Sequence, residues 1–208
     1  MSERVITNNR VVLVGEVTSL PEFSHEIFGE KFYVFELSVP RMSGIMDTIP
    51  VTVSDRSYYI EDIQIGEAFK IVGTFRSYNE HKGKQTRLKL SVFAQEIYEM
   101  NPDEDYTGKS FIKLEGYICK EPVHRNTPKG REIADMLVAV NRPYGKSDYI
   151  PCIVWGRNAR YVAGALVGAK VTIEGRIQSR EYIKQISETE QETRIAYEVS
   201  ASKIDLPE

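Results

Sequence analysis

The sequence predicts an all-β chain of two tandem barrels, and three observations predict it: the second half repeats the first, each half breaks into short alternating segments, and a polar stretch separates the halves. The repeat comes first, because it decides the domain count. VVLVGEV at Val11–Val17 is matched by IKLEGYI at Ile112–Ile118, which sets Gly15 and Gly116 101 residues apart. The same offset relates Arg41 to Arg142 (SVPR and AVNR) and Pro50 to Pro151 (TIPVTV and YIPCIV). Further on the offset becomes 102, pairing Gly66 with Gly168, Gly73 with Gly175 and Ser77 with Ser179. The last pair, RLKLSV from Arg87 and RIAYEV from Arg194, is 107 apart, so a hairpin near residues 182–193 is longer in the second copy.

Each copy contains about five segments rich in Val, Ile, Tyr and Phe and bounded by Gly, Pro, Asn or Asp, the punctuation of short strands. A short helix is expected between the third and fourth of them. In the second copy it is NARYVAGALV, between YIPCIVW and AKVTIEGRIQSREY, and in the first it involves DRSYYIEDI. Five strands with a helix in that place predict an OB-fold, a five-stranded Greek-key barrel, in each half. The stretch MNPDEDYTGKS carries Pro, Gly and acidic residues and little that a core can use, so it reads as a linker. The expected division is residues 1–99, a linker at 100–109, and 110–208.

Composition narrows the function. With 208 residues, 41% hydrophobic and 27% charged, both halves have material for a core. No apolar run approaches the ~20 residues of a membrane-spanning helix, and MSERVITNNR has no secretory apolar stretch, so a cytoplasmic, nucleoid-associated location is expected. Cys119 and Cys152, with His25, His81 and His124, lack metal-ligand spacing, so neither a zinc site nor another cofactor is expected. The chain also lacks GxSxG, GxxxxGK[ST] and HExxH, and His124 has no orienting carboxylate beside it in sequence, so no enzyme is expected. The net charge of −3 hides an asymmetry: residues 1–105 carry −6 and residues 106–208 carry +3.

Strand parity then sorts the second copy's residues. In AKVTIEGRIQSREY, Val171, Ile173 and Ile177 share one face, while Arg176, Gln178, Arg180 and Tyr182 share the other. In the first copy Phe69, Ile71 and Phe75 point inward, and Lys70, Thr74, Arg76 and Tyr78 outward. Tyr149, Pro151, Ile153 and Trp155 share a face, with Arg142 and Tyr144 on the adjoining hairpin. Outward Arg and Tyr also suit a plain solvated strand, and a lone Trp155 also suits a core or an interface. Binding is favoured by convergence: Tyr144, Tyr149 and Tyr182 interleave π faces with the charges of Arg142, Arg176 and Arg180. Unpaired bases stack on aromatics at roughly 1–3 kcal/mol each, and arginines neutralise phosphates without reading sequence.

HRNTPKGREIADMLVAVNRPYGKSDYIPCIVWGRNA and VTIEGRIQSREY resemble the bacterial single-stranded DNA-binding protein family across most of residues 110–204. The resemblance implies base-stacking aromatics near Tyr144, Tyr149 and Trp155, with Tyr182 near a fourth such position. It also implies a backbone-tracking loop at RNTPKGREIA, making Arg125, Lys129 and Arg131 candidates, though solvated loop charges account for them equally. Family members commonly end in a disordered acidic segment that recruits other enzymes. This sequence ends at KIDLPE, so that role is not expected. Because many members assemble four barrels as a homotetramer, a tandem chain implies a homodimer.

The first copy departs from the pattern, with Thr48 and Ser54 where the second has Tyr149 and Trp155. It is left with two readings: binding through Arg76, Tyr78, His81, Lys82 and Lys84, or assembly. For the whole chain, a protein-interaction module is the rival to single-strand binding, since the barrel alone assigns no function.

Overall fold

In the computed structural model, which describes residues 8–82, 85–101, 110–187 and 191–207, the alternating segments become twelve strands of one continuous sheet. The first half holds β1 (Asn9–Val17), β2 (Glu22–Ile27), β3 (Glu30–Pro40), β4 (Met46–Ser54), β5 (Ala68–Lys82) and β6 (Gln85–Glu99). The second holds β7 (Ser110–Ile118), β8 (Val123–Asn126), β9 (Glu132–Asn141), β10 (Ser147–Trp155), β11 (Lys170–Gln185) and β12 (Gln191–Asp205). Within the first half β1, β3, β4, β6 and β5 pair in a ring, and β7, β9, β10, β12 and β11 close the second in the same way. These are the two expected five-stranded barrels. Residues 102–109, most of the expected linker, lie outside the described residues.

The repeated glycines mark where closure brings backbones together. At the crossing of β1 onto β3, a Cβ on Gly15 would stand 2.3 Å from the Ser38 carbonyl oxygen, and on Gly116 2.4 Å from that of Ala139. Gly73 and Gly175 sit opposite matching bulges in β6 and β12, where a Cβ would meet the carbonyl oxygens of Phe93 and Ser200.

Two details differ from expectation. Each half has a sixth strand, β2 or β8, exposed along its length and paired with the strand that follows. Neither face of it meets the core, so EFSHEI and VHRN carry no alternation to read. The expected helices are shorter: α1 spans Arg157–Val162, burying Ala159 and Val162, and ends just before Gly164, while DRSYYIEDI yields only a 3-10 turn at Ile60–Asp62. Tyr58, Tyr59 and Ile60 are weak helix formers, and one turn suffices to deliver Ile63 to the core. Among the described residues, no helix is long and apolar enough to cross a membrane.

The barrels are joined along β1 and β7, which pair antiparallel with Val11 opposite Ile112. Those two residues are 101 apart, so the repeat acts as a pseudo-two-fold axis through this pair, and the two cores merge across it. Two reciprocal clamps reinforce the seam. Asp47, 2% exposed, accepts hydrogen bonds from the Ser179 amide (2.7 Å) and hydroxyl (3.2 Å). Arg41 donates to Asp47 (2.6 Å) and to the Ser179 carbonyl (3.1 Å). In the mirror arrangement Asp148, 1% exposed, accepts from the Ser77 amide (2.6 Å) and pairs with Arg142 (3.1 Å). The Tyr149 amide donates to the Ser77 hydroxyl (2.7 Å). Arg41, Ser77, Arg142 and Ser179 therefore repeat in the sequence because they lock one barrel to the other.

Candidate nucleic-acid interface

Strand β11 builds the centre of the site. Val171, Ile173 and Ile177 are fully buried, so the alternate residues Arg176, Arg180 and Tyr182 turn to the outer face. Gln178 was expected beside them but is buried, because its amide donates to Glu198 of the neighbouring strand at 2.7 Å. Arg180 lies 3.8 Å from the same Glu198 and 5.9 Å from the centre of the Tyr182 ring. Arg176 is half-buried, and burial, then the nearby Arg41 charge, lowers its guanidinium pKa. A cation held in this way gains from an arriving anion.

Trp155, at the end of β10, is half-buried, and its indole N–H donates to the Ser200 hydroxyl at 3.1 Å. The ring is thus anchored by its edge while part of it stays open, a state between the core and stacking readings. Beside it runs a groove of about 980 Å³ at the seam, lined by Trp155, Arg131, Arg176 and Arg180 of the second barrel and by Arg41, Met42 and Ile45 of the first. Four arginines face it against one carboxylate, Asp47, which Arg41 already pairs.

The other candidates, Arg131 apart, sit elsewhere. Tyr144 is 98% exposed, at a positive φ of 64° in the β9–β10 turn, and Tyr149 is about half exposed on β10. Their hairpin reaches over the first barrel and contributes nothing to the lining of the groove. Tyr182 lines a second groove of about 780 Å³, with Arg87 and Lys89 of β6 and Lys184 and Arg194 of the second barrel. Arg142 is engaged in its clamp, and Arg125 is paired with Asp135 at 2.5 Å. Lys129 and Arg131 are exposed on the β8–β9 turn, where the expected backbone-tracking loop is a hairpin.

In the first barrel Tyr78 is exposed and Arg76 covers the Phe93 ring at 3.8 Å. The Ser54 hydroxyl donates to Glu30 where the second barrel has Trp155. The side chains of His81, Lys82 and Lys84 lie outside the described residues. The first-barrel side of the groove, above all Arg41, did not emerge from sequence reading, although its match with Arg142 singled it out. Among the described residues no group of three or more His, Cys, Asp or Glu is placed to hold a metal ion.

Residues 111–206 match the Single-strand binding protein family. The single-stranded DNA-binding protein of Halalkalibacterium halodurans is 37% identical over 78 residues, covering 34% of this chain and 46% of that protein. That of Oceanobacillus iheyensis is 34% identical over 85 residues, covering 38% and 53%. The chain thus spans about half the length of these curated relatives. The crystal structure of the wild-type single-stranded DNA binding protein from Thermus aquaticus superposes with a TM-score of 0.76, covering 96% of this chain and 93% of that one at 17% identity. The sequence likeness falls on the second barrel, and the shared fold extends over both.

Proposed function

We propose, from the match of residues 111–206 to the Single-strand binding protein family, that the chain binds single-stranded DNA, with little sequence preference, in replication, recombination or repair. One observation carries the reading: the seam groove sets the open part of Trp155 beside four arginines and a single, already paired carboxylate. Bases stack on the ring, and the arginines hold phosphates in any sequence. Tyr144, Tyr149 and Tyr182 extend the stacking surface, and Lys129 and Arg131 follow the backbone. Arg142 and Arg125 act through their ion pairs, shaping the surface and not meeting phosphate directly.

We read residues 1–99 and 110–208 as two domains with distinct work, the first serving mainly assembly. The outer face of the central strands leaves Val12, Val72 and Phe111 partly uncovered, and a second chain seated there gives a homodimer of four barrels. Light scattering at twice the chain mass is the expected result. The location consistent with this work is the nucleoid in the cytoplasm.

Titration of a fluorescent oligothymidine at low and moderate salt, with duplex DNA as control, tests the reading. Single-strand binding that exceeds duplex binding and falls with salt is expected. Absence of binding would leave a protein-interaction module as the better account.

A further inference from the structure

The pseudo-symmetry exposes a place where the two halves are built differently. In the first barrel the Asn9 side chain fills the gap beside β5, donating to the Phe75 carbonyl at 2.7 Å and accepting from the Phe75 amide at 2.9 Å. The residue 101 positions on is Ser110, and Ile177 stands where Phe75 stands. Serine is too short to repeat the bridge. Its hydroxyl oxygen is buried without a hydrogen-bond partner, and so is Nε of Arg176. Both residues line the seam groove, and Arg41 faces them from the first barrel, close enough for its charge to act on Arg176.

Buried polar atoms left unmatched are costly, and a charged guanidinium without its full set of acceptors most of all. Two such atoms in the lining of one groove, which Arg41 lines from the first barrel, call for an anion with several acceptor oxygens. We propose that this gap is the seat of one backbone phosphate of bound single-stranded DNA, held by Arg176 and Ser110 of the second barrel and Arg41 of the first. The inference rests on the single-strand reading above. It gives the first barrel a part in DNA binding that needs no stacking residue of its own: its β3–β4 hairpin completes the neighbouring barrel's site. The mirror position is closed by Asn9, so each chain has one such seat.

The test is a salt titration of oligothymidine binding by the full chain and by Ser110→Asn, Arg176→Gln and the double variant. Asparagine at 110 supplies the plug found in the first barrel, so this variant is expected to melt no lower than the parent. Loss of one phosphate contact flattens the plot of log affinity against log salt by about 0.7. Each single variant is expected to show that change and to bind about tenfold more weakly at low salt. The double variant is expected to flatten no further, because the same phosphate is lost once. Unchanged slopes in both single variants, while the parent binds with steep salt dependence, would overturn the seat and leave the single-strand reading standing. A parent that fails to bind single strands would remove both.

Discussion

The two barrels share strand order, bulges and clamps, yet their outer faces diverge through an exchange of one large and one small residue. In the second barrel the large residue is Trp155 on β10, held at its edge by Ser200 on β12. In the first, the residue at the Trp155 position is Ser54 on β4, and that at the Ser200 position is Phe93 on β6. The consequence lies in what covers each ring. Phe93 is capped by Arg76 at 3.8 Å and backed by Phe32, itself stacked on His25 at 4.8 Å. Ser54 meanwhile binds Glu30, which sets a carboxylate on that face. One face is closed by the protein's own cation and anion, and the other keeps part of an aromatic open beside arginines. A shared scaffold thus carries two different outer faces, and the proposed division of labour between the barrels rests on the covering of one ring.

The largest expected effect is common to both halves and lies in the clamps. Asp47→Ala removes the acceptor for the half-buried Arg41 and for the Ser179 amide, and is expected to lose about 3 kcal/mol of stability in urea denaturation. Trp155→Ala comes next, weakening oligothymidine binding by about 1–3 kcal/mol per base lost. Phe93→Ala, the corresponding change in the first barrel, is expected to lower the melting temperature while leaving affinity within about twofold. Comparable losses of affinity from both would break the asymmetry. Ser77→Ala orphans the Tyr149 amide from a 2.7 Å bond and is expected to cost about 1–2 kcal/mol. Ser179→Ala gives up two bonds of 3.2 Å, to the Thr48 amide and Asp47, and is expected to cost less in the same denaturation series.

The smallest effect is one of pH. Burial holds the Asp148 carboxyl above the usual carboxylate range, against the lowering pull of the Ser77 amide, Arg142 and Arg76. A raised folded-state pKa means that the bound proton stabilises the fold below the ordinary value of about 4, and that this contribution is lost as pH rises through the raised one. Asp148→Asn keeps an acceptor for Ser77 but cannot titrate. Melting temperatures measured across that window are expected to vary less with pH in the variant than in the parent.

How far these features were legible in the sequence depended on whether neighbours along the strand or neighbours across it decide them. Alternation correctly sent Val171, Ile173 and Ile177 inward, and Phe69, Ile71 and Phe75 with them, because strand parity is local. It failed at Gln178, which Glu198 covers from the adjacent strand. The matched Arg41 and Arg142 were visible as a repeat, but their work was not: a clamp between barrels requires Ser179 and Ser77, more than 60 residues away in each case. Strands β2 and β8 left no trace, since both faces are exposed. The contrast between Asn9 and Ser110 was present in the aligned repeats and acquired meaning only when one side chain was seen bridging a backbone that the other cannot reach.

The central claim is that single strands are bound by the face of the second barrel and not by that of the first. The direct measurement is parallel titration of oligothymidine with two full-length variants, Tyr144→Ala/Tyr149→Ala/Trp155→Ala and Arg76→Ala/Tyr78→Ala, both checked for an unchanged melting temperature. The account predicts that the first loses most of the binding and the second retains nearly all of it. Equal losses, or loss confined to the second variant, would contradict it.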